Sequence, residues 1–227
     1  MKKKILFLIF LLFLISSFKL TFAKDYSIPH VKIEVTLNRD GSASFIEERT
    51  FTFDGSFSFG YYDLPKEGYE KLEEFLVYEG DTLYKKENSK LSQTYYIEDY
   101  GSYYRVNFFY DAFYETKTFK FVYKLNGVTK VYEDYGEFYF KLQGTGWDKK
   151  IGLFESYIKF LSPIPKENYF VWAHGPLWGK IEKVDEKTVY LKVEDVPPKT
   201  FVEARILVPS DYFTDAKNWV ELLKIKL

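Results

Sequence analysis

Paired carboxylates are the side chains of this sequence with the most direct capacity for chemistry. Acidic residues stand close together at three places: Glu47-Glu48, Glu73-Glu74 and Asp134/Glu137. A glycosidase needs two carboxyl groups about 5–10 Å apart across a cleft, one of them with a raised pKa. Successive residues of a β-strand point to opposite faces, so Glu47 and Glu48 cannot both line one site. One of them is expected to face inward near Arg49 or to mark a strand irregularity, and no catalytic residue is predicted.

Histidine and nucleophile patterns add no catalytic or metal site. The two histidines, His30 and His174, have no second ligand at metal-binding spacing, so a site would need carboxylates from distant strands. The sequence has no cysteine and no Gly-x-Ser-x-Gly motif. Gly144-Thr145-Gly146 lacks the lysine context of a phosphate-binding loop. We therefore predict no metal and no cofactor, and keep an exported hydrolase, with carboxylates that meet from separate strands, as the third of three hypotheses.

Aromatic residues are the clearest compositional excess, at 21% of the chain. Exposed Trp and Tyr rings can stack on the C–H faces of sugars, so glycan binding is the second hypothesis. Its best location is residues 171–178, where two tryptophans flank a Gly-Pro turn. The alternative is that aromatic residues fill a sandwich core, since they are favoured in β-strands, or reflect genome composition. The predicted ligand-binding residues are Trp172, His174, Trp178, Tyr61 and Tyr62.

The first residues have the composition of an export signal. Three lysines at positions 2–4 precede an apolar run over residues 5–15, and small residues stand at positions −3 and −1 of a cut after Ala23. The alternative is an uncleaved membrane anchor, but a spanning helix needs about 20 apolar residues, and Lys19 interrupts this run. We therefore expect an exported, extracytoplasmic protein, either secreted or associated with the cell envelope.

The charge of the remaining chain excludes two classes of partner. Residues 1–23 carry four of the 32 basic residues and none of the 33 acidic ones, so their removal leaves a net charge near −5. No basic block is present, so we expect neither nucleic-acid binding nor attraction to an anionic membrane surface. Membrane association is expected only if the leader is retained or an anchor is missing from this sequence. The fold cannot rely on disulfide bonds, because there is no cysteine.

Hydrophobic residues recur at every second position through much of the sequence, which indicates β-strands. Residues 31–37 and 43–53 alternate in this way around Asn38-Arg39-Asp40-Gly41, and Asp-Gly turns are typical of hairpins. Further strands are expected at 75–78, 82–85, 94–97, 103–110, 116–125, 137–142, 153–161, 169–173, 180–184, 188–193 and 200–208. Short strands separated by turn residues predict an all-β chain built as an antiparallel β-sandwich.

The predicted strands divide into two groups. Residues 128–136 are charged and turn-like, and we place a boundary there. A terminal helix can be capped by Thr214 or Asp215 and either packs on the last sheet or leads to a membrane or a partner. We therefore expect four segments: a signal peptide at 1–23, an Ig-like or jelly-roll-like sandwich subdomain at 24–130, a second one at 131–210, and a short C-terminal helical tail at 211–227.

A series of short motifs follows a recognisable order. The motifs are Tyr26-Ser27-Ile28, Asn38-Arg39-Asp40-Gly41-Ser42, Glu47-Glu48-Arg49-Thr50, Gly60-Tyr61-Tyr62-Asp63-Leu64-Pro65, Phe121-Val122-Tyr123-Lys124-Leu125-Asn126-Gly127, Glu137-Phe138-Tyr139-Phe140 and Gly146-Trp147-Asp148-Lys149-Lys150. Over most of residues 26–210 the series resembles the extracytoplasmic N-terminal domain of YciQ-like predicted membrane proteins, a domain-of-unknown-function family. Two departures stand out: Tyr62 replaces a usual arginine, and the sequence ends at Leu227 where relatives continue into transmembrane helices. Either this is a stand-alone exported version or its C-terminal part is missing.

The resemblance implies a location and a fold, and no assigned chemistry. The first hypothesis is therefore a non-enzymatic exported β-sandwich module that acts at the cell envelope through protein–protein contacts. Edge strands of such sheets can accept a strand from a partner protein, which gives a binding mechanism that needs no special side chain.

Overall fold

The computed structural model describes residues 24–215. The predicted signal peptide and the predicted helical tail from residue 216 onward lie outside the described residues. The described chain forms sixteen strands: β1 (Asp25–Leu37), β2 (Ala43–Asp54), β3 (Ser56–Pro65), β4 (Lys71–Glu79), β5 (Thr82–Leu83), β6 (Lys85–Lys86), β7 (Thr94–Asp99), β8 (Tyr103–Phe113), β9 (Thr116–Asn126), β10 (Thr129–Val131), β11 (Tyr135–Gln143), β12 (Ile151–Phe160), β13 (Phe170–His174), β14 (Lys180–Lys183), β15 (Thr188–Val196) and β16 (Val202–Pro209). Two single turns of 3₁₀ helix complete it, Lys166–Asn168 and Ser210–Tyr212.

The strands form three sheets. The large sheet has eight strands in the order β14-β15-β12-β1-β2-β9-β4-β5. The first cover sheet has the order β3-β8-β7-β6, and the second cover sheet has the order β10-β11-β16-β13. Most pairs are antiparallel, and β1 with β12 and β6 with β7 are parallel. The prediction of an all-β antiparallel sandwich is confirmed.

Alternation along the strands decides which face of the large sheet is buried. In β2 the inward positions run from Ala43 to Phe53 at every second residue, and the intervening positions are partly or fully exposed. Phe45 contacts Phe140 of the second cover sheet, with ring centroids 5.1 Å apart. Phe53 contacts Tyr110 of the first cover sheet at 5.4 Å. Both cover sheets therefore lie side by side on the same face of the large sheet.

The two predicted subdomains share the large sheet. Strand β12 lies beyond the proposed boundary, and it pairs with β1 from Ile28↔Ile151 to Leu37↔Phe160. The first cover sheet draws its strands from residues before the boundary and the second cover sheet from residues 129–209. Whether either half folds alone stays a prediction.

The last described residues belong to the core. Tyr212 and Phe213 are buried, and the Tyr212 hydroxyl donates to the Leu37 carbonyl oxygen at 2.6 Å and accepts from the Leu161 amide at 2.9 Å. The start of the predicted helical tail is therefore a 3₁₀ turn that packs on the sandwich.

Candidate functional site

A cleft of about 880 Å³ lies where the two cover sheets part above the large sheet. Its floor includes Arg49 and Phe51 of β2. One wall is β3, lined from Phe57 to Pro65, and the other is β11 with the loop that follows it, including Trp147. The sandwich is thus open at the seam between its cover sheets.

Both walls of this cleft are strand edges with free backbone groups. Strand β3 is the outer strand of the first cover sheet and pairs with β8 alone among the described residues. Strand β11 pairs with β16 on one side, and on its other side β10 covers Gly136–Phe138. Residues 139–143 therefore have no neighbouring strand on the cleft side within the part of the chain that the structure describes.

The floor of the cleft holds a buried ion pair. Glu47 and Arg49 are two apart on β2, so alternation places both side chains on the inward face. Their side chains are 0% and 1% exposed, and Arg49 Nε donates to Glu47 Oε1. Glu47 Oε2 accepts from the hydroxyls of Tyr62 at 3.0 Å and Tyr123 at 3.2 Å. Three donors thus hold the carboxylate in one orientation.

The two phenols beneath the cleft remain protonated donors. Burial is the largest cause that raises the pKa of Tyr62, and the charge of Glu47 raises it further. The pKa of Tyr123 is also raised, by burial first and then by Tyr62 and Glu47. Because a phenol ionises near pH 10 even without these effects, both hydroxyls keep their protons throughout the physiological range.

Arg49 has one donor to spare. Its Nη1 atom is buried and has no hydrogen-bond partner among the described residues. The guanidinium carbon lies 4.2 Å from the ring centroid of Trp147 and 5.6 Å from that of Tyr62. A buried unsatisfied donor costs about 1–3 kcal/mol, and more when it is charged. The site therefore retains an unmatched cationic donor under an aromatic cover.

The structure separates the predicted ligand-binding residues into two places. Tyr61 and Tyr62 both line the cleft. Tyr62 is buried on its floor, whereas Tyr61 is 54% exposed and stacks on Arg105 at 4.2 Å. As neighbours on β3, they point to opposite faces of the strand.

The other three predicted residues do not line the cleft. Trp172 and His174 lie on β13, at the edge of the second cover sheet, and both are exposed. The His174 ring lies 5.7 Å from that of Tyr139, which does line the cleft. Trp178 lies in a turn, and its Nε1 donates to the Glu194 carbonyl oxygen at 2.7 Å. Their role in ligand binding stays a prediction.

The sequence predicts that one of Glu47 and Glu48 faces inward, but it does not predict the site that surrounds Glu47 and Arg49. The available signal was the pair of charges at inward positions of an otherwise aromatic strand face, between Phe45 and Phe51. The strand β3, which forms one wall, was also missed, because Gly60 and Pro65 weaken its pattern. Only the fold shows that Trp147 covers Arg49.

The described residues contain neither a metal-binding cluster nor a membrane-spanning helix. Among residues 24–215, no group of three or more His, Cys, Asp or Glu side chains could hold a metal ion. His30 instead contacts Glu155 at 2.8 Å on the outer face of the large sheet. No helical segment in this described part is long and apolar enough to cross a bilayer.

Several solved structures align with part of this chain. A putative protease from Parabacteroides distasonis aligns with a TM-score of 0.44 and 13% identity, over 79% of this chain and 40% of its own. A putative nutrient binding protein from Legionella pneumophila aligns at 0.46 and 11%, over 80% of this chain and 66% of its own. An M1 zinc metallopeptidase from Deinococcus radiodurans aligns at 0.45 and 10%, over 79% and 42%. The chain spans less than two thirds of each, and likenesses this weak carry no argument about activity.

Family membership rests on the sequence itself. No curated protein matches the chain. The family described as "Predicted membrane protein (DUF2207) N-terminal domain" matches residues 27–208, which is most of the described chain. This agrees with the predicted resemblance to the N-terminal domain of a predicted membrane protein, while the YciQ-like label stays a prediction. The chain belongs to the DUF2207 N-terminal domain family.

Proposed function

We propose that the protein is a non-catalytic binding module of the cell envelope, outside the cytoplasm, and that it holds an extended segment of a partner protein in the cleft between β3 and β11. The observation that carries this proposal is the pair of free strand edges that face each other across the cleft. An extended polypeptide can satisfy such edges with backbone hydrogen bonds and place alternate side chains in pockets.

The walls of the cleft suit this mode of binding. Exposed strand edges promote aggregation unless they are covered, charged or interrupted. Strand β3 ends at Pro65, and Gly60 lies in its middle under the ring of Phe108, so the edge carries some protection. The remaining backbone groups face a concave space rather than a flat surface, which favours a single bound strand over open-ended pairing.

The floor of the cleft supports a role other than catalysis. Glu47 is buried behind Arg49 and Tyr62, does not line the cleft, and has its oxygens engaged by Arg49, Tyr62 and Tyr123. A general acid or base must reach the proton that it transfers. Glu47 is oriented towards its own partners instead.

The proposed location has two supports. The family description places such domains in predicted membrane proteins. Residues 1–23 have the charged, apolar and small-residue order of an export signal. Fractionation of the producing cells, with protease protection of intact cells or spheroplasts, tests the location directly; protein found only in the cytosol contradicts it.

A peptide selection tests the binding mode. Random linear peptides are selected on the purified mature chain, and hydrogen exchange is measured with and without each selected peptide. We expect slower exchange of amides in β3 and in residues 139–143. Methylation of single backbone nitrogens of the peptide should weaken binding at successive positions of the bound segment, because successive amides of a strand face opposite neighbours and this segment has a strand edge on each side.

The control for this experiment is the large sheet. Amides in the β1–β12 pair are already bonded and should not change. A selected peptide that protects other strands, or one whose binding is not weakened by backbone N-methylation, would show that the cleft does not bind an added strand.

One observation favours glycan binding as a second candidate function. Phe170 and Trp172 are 53% and 42% exposed, and their rings stack at 6.2 Å with an interplanar angle of 22°. Two nearly parallel exposed rings offer aromatic faces on which a sugar can stack. Retention of the protein on cell-wall polysaccharide that is lost in Trp172→Ala would support this candidate, and absence of retention by the wild type would exclude it.

A further inference from the structure

The charges that line the cleft are not equally matched. Five carboxylates line it, and each has a partner in the chain: Asp63 with Arg105, Glu67 and Glu203 with Lys141, Glu137 with Arg205, and Asp148 with Lys199. By contrast, Lys24 and Lys130 line the cleft and form no ion pair among the described residues. Lys24 lies over the ring of Phe57, and Lys130 stands opposite Glu137, whose carboxylate pairs with Arg205. The charged lining residues that form no ion pair at all among the described residues are therefore lysines, whereas Glu67 and Glu203 share the single Lys141.

Arg49 is paired with Glu47, but it adds one unmatched cationic donor, and that donor is buried. Its Nη1 atom has no hydrogen-bond partner among the described residues, and the side chain is only 1% exposed. A guanidinium presents paired N–H donors that match a carboxylate. The atom therefore offers a site for one acceptor group that the described chain does not supply.

The Trp147 ring lies over Arg49, and it can rotate while the sandwich stays folded. Trp147 is held at its backbone, where its carbonyl oxygen accepts from the Lys199 amide at 2.8 Å. Gly144 and Gly146 precede it in open surroundings, with no atom within 4 Å of an added Cβ. Rotation of the indole about its side-chain bonds would therefore open Arg49 Nη1 to a ligand in the cleft, whose floor Arg49 lines, while the loop keeps its anchor.

We propose that the extended segment carries a carboxylate, from an acidic side chain or from a C-terminus, which pairs with Arg49 Nη1 once the Trp147 ring turns aside. This inference rests on the proposed function, since it names the chemistry that the bound segment must have. Lys24 and Lys130 line the same cleft and attract the acidic segment, whereas Arg49 selects the position of the carboxylate. The competing explanation is that the Trp147 ring alone satisfies the guanidinium.

The test compares acidic and neutral peptides on two forms of the protein. The probes are the peptides selected on the wild type, each made again with Glu or Asp changed to Gln or Asn, and separately with an amidated C-terminus. The two arms distinguish a side-chain carboxylate from a terminal one. On the wild type, we expect one of these changes to weaken binding by about 10- to 100-fold, as for a desolvated charge pair.

The second form is Glu47→Gln/Arg49→Met, which removes both charges and leaves no uncompensated one buried. The amide oxygen introduced in place of the Glu47 carboxylate would still accept from the two tyrosine hydroxyls, and thermal unfolding verifies that the variant folds. On this form, the same peptide change should cost about twofold at most, because the partner of the carboxylate is gone. Arg39→Leu is the matched control; it removes an exposed arginine at the β1–β2 turn, away from the cleft, and should behave as the wild type.

Tryptophan fluorescence reports independently whether the Trp147 ring moves away from Arg49. The acidic peptide should change the emission of the wild type, and this change should be absent in Trp147→Phe. Two results would overturn the inference and leave Trp147 as the partner of Arg49. One is that removal of the peptide carboxylate weakens binding equally in the wild type and in Glu47→Gln/Arg49→Met, and the other is that it does not weaken binding to the wild type. If backbone N-methylation still weakens peptide binding in that case, the proposed function stands alone; if no peptide protects the cleft, both fail.

Discussion

The two faces of the large sheet hold charge in different ways. On the inner face, Glu47 and Arg49 form one ion pair whose side chains are 0% and 1% exposed. On the outer face, Glu34 pairs with Lys32 at 2.7 Å and with Lys159 at 2.5 Å, and these side chains are 29–44% exposed. The inner pair is enclosed by aromatic rings, whereas the outer pairs are exposed to solvent.

This difference teaches what each set of charges can contribute. Exposed pairs contribute about 0–1 kcal/mol, because water already solvates both partners. A fully buried pair brings a desolvation penalty of several kcal/mol, and apolar residues of the same volume are often equally stabilising. A contribution to stability is therefore sufficient to account for the outer pairs, but it does not account for the inner pair. The proposed role in binding would account for it.

The largest expected effect comes from breaking the inner pair. Arg49→Ala leaves the Glu47 carboxylate buried without its cation, and removal of one partner of such a pair typically costs about 3–5 kcal/mol. Urea unfolding followed by circular dichroism measures this loss. Arg39→Ala, which removes an exposed arginine, should change the unfolding free energy by about 0.5 kcal/mol or less. Similar values for the two variants would mean that the inner pair is not enclosed as described.

A smaller effect of opposite sign is expected when the whole polar cluster is replaced. The variant Glu47→Leu/Arg49→Met/Tyr62→Phe/Tyr123→Phe removes the ion pair together with the two hydroxyls that it satisfies. We expect an unfolding free energy between the wild-type value and about 4 kcal/mol above it, because the desolvation penalty disappears. This variant should also lose the preference for acidic peptides. A loss of several kcal/mol would instead show that the cluster is kept for stability.

The sequence predicted the local part of this arrangement. Alternation from Phe45 to Phe53 places Arg49 inward on β2, and the Asp40-Gly41 turn before it is confirmed: Gly41 has a φ of +78°, and the Ser42 amide donates to Asp40 Oδ1 at 2.9 Å. Such features depend on neighbours in the sequence, so period-two patterning and turn chemistry suffice to find them.

The cleft could not be predicted, because it depends on contacts between distant residues. Its shape follows from where β10 stops covering β11 and from which strand becomes the edge of the first cover sheet. The parallel pairing of β1 with β12 joins residues such as His30 and Leu153. Neither strand carries a pattern that specifies its partner. Trp147 likewise contacts Arg49 only in the folded sandwich, because it lies in the loop that follows β11.

The smallest expected effect concerns the outer face and its dependence on pH. The pKa of Glu34 lies below its ordinary value of 4.5, first because Lys159 donates a hydrogen bond to the carboxylate and then because Lys32 does. The folded protein therefore binds this proton less readily than the unfolded chain. The stabilisation is present above about pH 4.5 and is lost as the pH falls through the lower folded value.

The variant Glu34→Gln measures the contribution of the outer pairs to the unfolding free energy, for comparison with that of the inner pair. At pH 7 the wild type should exceed the variant by no more than about 1 kcal/mol, since the pair is partly exposed. Urea unfolding at a series of pH values should show this difference shrinking as the solution is made more acidic than about pH 4.5, because both forms are then neutral at position 34. High salt should reduce the difference at pH 7 as well. A difference that grows on acidification, or one as large as that expected for Arg49→Ala, would mean that the outer face does not hold its charges in solvent and that the two faces of the sheet are alike.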